Sequence, residues 1–221
     1  MNLKARKSLS QHFLVDKRVA QIVSSFATNR PIIEVGCGEG SLSQFLHPDL
    51  CVELDERFIP YIRGFNPVLA DAKSPPFLRG EVFSSLPFSI SREFMKLSAA
   101  SQVSRLILIL QSDFVSKLLT EPTYISYIAN YTFDISEKLT ISPRSFRPRP
   151  KVYSTLVEMR RKREYSEELD RVLSCISRFR NKSLRRAASF CGLKSDLSRK
   201  VRSFKPREVC VLLSSLGLSC A

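Results

Sequence analysis

Two histidines, and six cysteines without a single C-x-x-C pair, leave this 221-residue chain poor in metal ligands. Structural zinc sites need Cys and His at close, paired spacings. No metal site is therefore expected, and Cys37, Cys51, Cys175, Cys191, Cys210 and Cys220 read as free thiols packed as small hydrophobes in a reducing compartment. No segment approaches the roughly 20 apolar residues that cross a bilayer; the longest apolar run is residues 106–110. The basic, polar N-terminus lacks the apolar stretch of a secretory signal. The expectation is a cytoplasmic protein without a membrane partner. No arrangement of Ser, His and Asp, or of Cys and His, offers an activated nucleophile, so hydrolysis is unsupported.

Acidic residues are also scarce. There are 21 of them against 35 Lys and Arg, a net charge of +14. The excess is concentrated late, with 16 basic and 7 acidic residues in 156–221. Such a surplus suits a polyanion, because neutralised phosphates release counterions. A solvated basic surface serving solubility accounts for the same charge.

What is present reads as α/β. Residues 31–40, Pro-Ile-Ile-Glu-Val-Gly-Cys-Gly-Glu-Gly, are a short β-branched run that ends in three alternate glycines. That pattern is a buried strand feeding a tight turn, and the apolar spacing of Leu42, Phe45 and Leu46 starts a helix over 41–46. Further parallel strands are predicted at 50–54, 67–70, 81–83 and 105–110. Helices are predicted at 15–27, 56–63, 91–100 and 112–120, and two late strands at 131–141 and 152–160. Three prolines make 142–150 a stiff basic loop. Beyond Arg163 helix-period segments at 167–179, 183–191 and 206–216 predict a small helical domain. The boundary is drawn between 1–162 and 163–221.

Gly36, Gly38 and Gly40 let backbone approach a ligand closely and bring helix N–H groups near it, although a glycine turn can be purely structural. Glu53 ends the second strand, where doubly wound folds hydrogen-bond ribose hydroxyls, and Asp71 after the third is suited to an adenine amino group. Together they suit an adenosine-containing cofactor at the carboxyl edge of a sheet. The fourth strand ends in Ser85-Leu86-Pro87-Phe88. An exocyclic amine delocalises its lone pair into the ring, so acceptors for its hydrogens make it more nucleophilic. The Ser85 hydroxyl and the Leu86 carbonyl are candidate acceptors, and Phe88 a stacking face for a base turned out of its strand. A packed turn accounts for the same residues.

These motifs in this order resemble the ribosomal RNA adenine dimethyltransferase family, which includes the erythromycin-resistance methylases and the mitochondrial transcription factor B proteins. Lys7-Ser8-Leu9-Ser10-Gln11-His12-Phe13-Leu14 is similar to the family's Lys-Ser-Leu-Gly-Gln-His/Asn-Phe-Leu opening. Glu34-Val-Gly-Cys-Gly-Glu-Gly40, Glu53-Leu-Asp55, Ala70-Asp-Ala72 and Gln111-Ser-Asp-Phe-Val115 follow in family order. Phe146-Arg-Pro-Arg-Pro-Lys-Val-Tyr-Ser154 resembles Phe-x-Pro-x-Pro-Lys-Val-Asp-Ser, and Phe179-Arg-Asn-Lys-Ser-Leu184 resembles Phe-x-x-Arg-Arg-Lys-x-Leu. The likeness runs from residue 7 to about 186, and the opening octapeptide favours the small-subunit enzymes.

The resemblance implies a Rossmann-like class I S-adenosylmethionine methyltransferase fold with a small all-α C-terminal domain. It also implies N6-dimethylation of adenines in small-subunit ribosomal RNA during ribosome biogenesis, with the immature small subunit as partner and the protein a monomer. S-adenosylmethionine would be held by His12, Leu14, Gly36, Gly38, Glu53, Asp71 and Ser85, and catalysis would fall to Ser85, Leu86, Pro87 and Phe88. RNA would meet Phe146, as a second face of a base clamp or else a core aromatic, and Arg147, Arg149, Lys151, Arg178, Arg180, Lys182, Arg185 and Arg186.

Three departures stand out. Ser85 takes the place of the family's Asn and offers one shorter hydroxyl acceptor in place of a carboxamide oxygen. Ser10 replaces a glycine, and the C-terminal domain is short. Two alternatives follow: an RNA-binding assembly factor of the same fold with weakened or lost catalysis, and an adenine N6 methylase of large-subunit RNA.

Overall fold

The computed structural model describes Arg6 and residues 11–220; Lys7 to Ser10 of the opening octapeptide lie outside the described residues. In chain order the elements are β1 (Phe13–Leu14), α1 (Lys17–Ser24), β2 (Ile32–Val35), α2 (Ser43–Leu46), β3 (Leu50–Glu53), β4 (Pro67–Leu69), β5 (Arg79–Ser85), α3 (Ser91–Ala100), β6 (Gln102–Gln111), α4 (Ser112–Thr120) and α5 (Tyr124–Thr132). They continue with β7 (Phe133–Ile141), β8 (Phe146–Arg147), β9 (Ser154–Arg161), α6 (Glu167–Arg178), α7 (Leu184–Phe190) and α8 (Val209–Ser214). Seven strands form one sheet in the order β4-β3-β2-β5-β6-β9-β7, and β1 pairs separately with β8. The first five strands are parallel and β9 runs antiparallel to β6.

This order puts the topological switch between β2 and β5, since the chain leaves β2 for β3 on one side and later returns to β5 on the other. Ligands of such sheets lie beyond the carboxyl ends of the strands at that point. The sequence supplies the driving force, because β2 is buried along its whole length and β6 over Arg105 to Leu110. Strands covered on both faces read as continuous apolar runs.

Two compact units emerge from the contacts. One holds the chain up to Ser112 together with residues 135–160; the other holds residues 113–134 with 161–221. The division therefore differs from a single cut after residue 162: the segment of α4 and α5 groups with the late helices. In the second unit the buried Tyr127 hydroxyl donates to the carbonyls of Val201 at 3.2 Å and Phe204 at 2.9 Å.

Several local expectations are corrected. Residues 56–61 form a 3-10 helix and not an α-helix, with Pro60 inside it removing a backbone donor. Tyr131 and Thr132 end a helix that the sequence reading placed in a strand. The basic loop contains a 3-10 turn and the short β8, so it is not wholly irregular. The free-thiol expectation is overturned: Cys37–Cys51, Cys175–Cys191 and Cys210–Cys220 are disulfides, with Cα separations of 6.0, 5.9 and 5.4 Å. Parallel pairing of β2 with β3, in which Glu34 faces Cys51, brings the first pair together.

A buried ion cluster ties the centre of the first unit's sheet. Arg105 of β6 pairs with Glu158 of β9 and, at 3.4 Å, with Glu81 of β5. Glu158 also receives Lys138 at 2.9 Å and Arg160 at 2.7 Å. Burial pushes the Glu158 carboxyl up, but hydrogen bonds from Lys138, Arg160 and Arg105 outweigh it and bring the value down to about 2. A carboxylate depressed on folding contributes stability above its unfolded range and loses it as pH falls through the folded value. Stability should therefore decline between about pH 4.5 and about 2, by about 2–3 kcal/mol from this group. Urea melts across that range check it, and a Glu158→Gln variant should show a shallower acid limb from a lower plateau.

Candidate active site

Five chain segments converge on one cleft at the carboxyl edge of the parallel strands. Its volume is about 400 Å³, and its walls include Gln11, His12, Phe13 and Leu14, Glu34 to Glu39, Val52 to Leu54, Ala70 to Lys73, and Ser85, Pro87, Ser89 and Ile90. That size suits a small cofactor. All of these residues belong to the first unit.

The glycine turn forms the floor. Gly36 has φ +76° and Gly38 φ +52°, a region in which a side chain is strained. A Cβ on Gly36 would have no atom within 4 Å, so this position faces open space on the cleft wall. A Cβ on Gly38 would lie 2.9 Å from the Phe13 ring. Phe13 is seated on the glycine turn and packs edge-on against Phe58, with ring centroids 5.2 Å apart. Gly38→Ala should therefore cost about 1–2 kcal/mol in stability from the left-handed backbone and displace Phe13. Cofactor affinity should fall roughly tenfold, the equivalent of about 1.4 kcal/mol. Thermal melts and calorimetric titration read the two effects separately. The helix after the turn, α2, begins at Ser43 and not at Ser41 as the sequence spacing predicts.

The acids divide the work. Glu53 Oε2 accepts from the Gly38 N–H at 2.8 Å, and Oε1 accepts from Leu54 and Asp55 N–H, both at 2.9 Å. One carboxylate thus binds the glycine turn to the strand tip. Burial raises its pKa against those three hydrogen bonds. Asp71 is half-buried on the cleft wall and accepts from the Lys73 N–H at 2.9 Å.

Glu34 and Asp55 stand in the motifs without an assigned role, yet each has a distinct electrostatic environment. Glu34 is 2% exposed, and its Oε2 has no hydrogen-bond partner among the described residues. Burial pushes its carboxyl up to about 8, with the neighbouring Glu53 charge adding to it and a Ser43 hydrogen bond opposing. Asp55 is held down at about 2, chiefly by hydrogen bonding from Arg57 and also by Gln11. Gln11 Nε2 donates to Asp55 at 3.1 Å and Arg6 lies 3.6 Å away, so this acid clasps the N-terminal segment against the strand tip. The sequence signal was an acid two residues past Glu53; its partner is 44 residues away.

His12 sits beside the catalytic candidates. Its Nδ1 lies 2.7 Å from the Pro148 carbonyl. A carbonyl only accepts, so Nδ1 carries the hydrogen. The His12 and Phe88 rings are 5.7 Å apart. Ser85 and Pro87 line the cleft. Leu86 is a core side chain at 2% exposure, so only its backbone can serve the site, and Phe88 stands half-buried next to His12 without forming cleft wall.

Phe146 is corrected. It pairs with Leu14 across β1 and β8, is 6% exposed, and joins the core with Val19, Ile107 and Leu156. A ring so enclosed offers no face to RNA; of its two readings the core aromatic holds. Arg147, Arg149 and Lys151 are exposed in the first unit, and Arg178, Arg180, Lys182, Arg185 and Arg186 in the second. Among the described residues Glu34, Cys37 and Cys51 come close enough to share an ion, but the two sulfurs are bonded to each other, which leaves one ligand.

Comparison with known proteins bears on this geometry. Residues 72–197 match the model of a family described as ribosomal RNA adenine dimethylase. The ribosomal RNA small subunit methyltransferase A of Geobacter sulfurreducens is 32% identical over 70% of this chain and 67% of its own. Its counterpart from Pelagibacter ubique is 28% identical over 71% and 70%. Among solved structures, a dimethyladenosine transferase from Plasmodium falciparum superposes with TM-score 0.71 at 19% identity, covering 80% of this chain and 74% of that one. The 23S rRNA methyltransferase ErmE superposes with TM-score 0.69 at 19% identity, covering 93% and 99%. The structural likenesses carry the fold, a Rossmann-like class I methyltransferase core.

Proposed function

Because the chain belongs to the ribosomal RNA adenine dimethylase family, we propose that it uses S-adenosylmethionine to methylate adenine N6 in small-subunit ribosomal RNA, twice at each amine. The observation that carries this reading is the cleft at the switch point, with acids at its strand tips and Ser85 at its rim. Its substrate would be the immature small subunit, met by a monomer in the cytoplasm where subunits assemble. No described helix is long and apolar enough to cross a membrane. The basic helices beyond residue 162 would meet the substrate, together with α4 and α5 of the same unit.

The residues fit the cofactor. When bound, S-adenosylmethionine supplies an electrophilic methyl on a sulfonium. Glu53 would accept one ribose hydroxyl with its remaining lone pair, Asp71 the adenine amine, and Gly36 leaves room for the methionine part. His12 and Leu14 close the cleft from the N-terminal segment. Glu34 would face positive charge, which its unpartnered oxygen otherwise lacks. At the rim, the Ser85 hydroxyl and the Leu86 carbonyl accept from the target amine and free its lone pair, while Phe88 stacks on the base. The proton then leaves without a strong base.

Glu34 gives this reading a proton signature. In the free protein its carboxyl holds a proton up to about pH 8, and a neighbouring cation favours the ionised form. Binding should release up to about one proton near neutral pH, and affinity should rise with pH to about 8 and then level off. Calorimetry in buffers of different ionisation enthalpy measures it; Glu34→Gln should abolish the release.

The test of the function is mass spectrometry of small-subunit RNA from cells with and without the gene. Dimethyladenine lost with the gene and restored by it is expected. Unchanged small-subunit RNA would refute the reading, and a change confined to large-subunit RNA would transfer it there.

A further inference from the structure

In the second unit, two phenylalanines stand out at the ends of neighbouring helices. Phe179 caps α6 and Phe190 ends α7. The Cys175–Cys191 disulfide ties the two ends together, and the rings lie 4.8 Å apart between centroids at 32°. Phe190 is 53% exposed. The unit has its own core in Leu173, Ile176, Leu184, Phe204 and Leu212, so this ring is not needed to fill it.

Its surroundings are cationic. The Arg186 guanidinium lies 5.9 Å from the Phe190 ring centroid, and residues 171–195 hold seven basic and no acidic residues. An exposed aromatic meant for a protein partner sits in an apolar patch with a polar rim. An exposed aromatic beside an arginine, in a basic stretch of chain, has the composition that binds unpaired nucleotides, where a base stacks on the ring and the guanidinium takes the phosphate.

We infer that Phe190, backed by Phe179 and served by Arg186, is a stacking platform for an unpaired nucleotide of the RNA. The inference rests on the proposed function only in taking RNA as the polyanion. Nothing in the methyl-transfer cleft enters it. Arg186 reaches the ring on a flexible stem, so it can yield the ring face to a base and follow the backbone charge.

The chain contains no tryptophan, so Phe190→Trp introduces a single reporter. With the full chain and a short single-stranded oligoadenylate, this variant should bind as tightly as the parent, and its fluorescence should be quenched. Val211→Trp, at an equally exposed place on α8, should not be quenched. Phe190→Ala should weaken oligoadenylate binding about tenfold with an unchanged salt slope, while a blunt duplex of the same length loses nothing. Arg186→Gln should lower the salt slope by about one. Unchanged oligoadenylate affinity in Phe190→Ala, or equal losses on single strand and duplex, would overturn the platform. Cofactor titration of the same samples separates the outcomes. A failed platform with S-adenosylmethionine still bound leaves the methyltransferase reading standing, whereas loss of both RNA and cofactor binding in the parent protein sinks both.

Discussion

Glu53→Gln is expected to weaken S-adenosylmethionine binding by two to three orders of magnitude in a chain that remains folded. The carboxylate is an acceptor on both oxygens, towards Gly38 on one side and Leu54 and Asp55 on the other. An amide has one acceptor oxygen. Whichever way it turns, its NH₂ faces a buried N–H donor, and the orphaned group costs about 1–3 kcal/mol. The glycine turn is then pushed from the strand tip just where ribose hydroxyls lose an ionised acceptor, worth a further 1.5–3 kcal/mol or so. Equilibrium dialysis with labelled cofactor reads the affinity, and circular dichroism the fold. Affinity within tenfold of the parent would show that Glu53 only braces the turn.

Ser85→Ala should lower the rate of methyl transfer about a hundredfold while cofactor affinity changes little. The hydroxyl acts on an amine that becomes electron-poor only as the new bond forms, so its removal is felt in the transition state, with a magnitude like that of deleting one preorganised hydrogen-bonding group. Ser85→Asn, the residue usual in the family, should retain or raise the rate because its carboxamide oxygen reaches further. Single-turnover measurements at saturating cofactor isolate this step. A parent protein no faster than Ser85→Ala would mean that serine here has given up catalysis, which is the assembly-factor alternative.

The parts of this molecule legible in its sequence are those set by local chemistry. The β-branched run into Gly36 and the strands ending at Glu53 and Ser85 follow from burial on both faces and from turn residues, and α3 and α4 were located to the residue. His12, Leu14, Gly36, Gly38, Glu53, Asp71, Ser85 and Pro87, which the motifs single out, all stand on the wall of one cleft. What escaped depends on distant partners. Tyr124–Thr132 is rich in β-branched and aromatic residues that favour strands, yet every residue but the first is buried and it folds as a helix; packing overrides propensity there. The cysteine pairing follows from strand register and helix docking and leaves no trace in spacing. Phe146 looked available to a base until β8 was seen to pair with β1 and enclose it. Asp55 gave no hint of its hold on Gln11 and Arg6, since that contact spans 44 positions or more.

The central claim is that a methyl carried in this cleft reaches an adenine amine at the Ser85 rim. Incubating the purified chain with isotopically labelled S-adenosylmethionine and small subunits lacking dimethyladenine, then weighing the nucleosides after digestion, tests it directly. Label is predicted in N6,N6-dimethyladenosine, fading about a hundredfold in initial rate with Ser85→Ala. Cofactor bound at saturation with no label in any adenosine would contradict it.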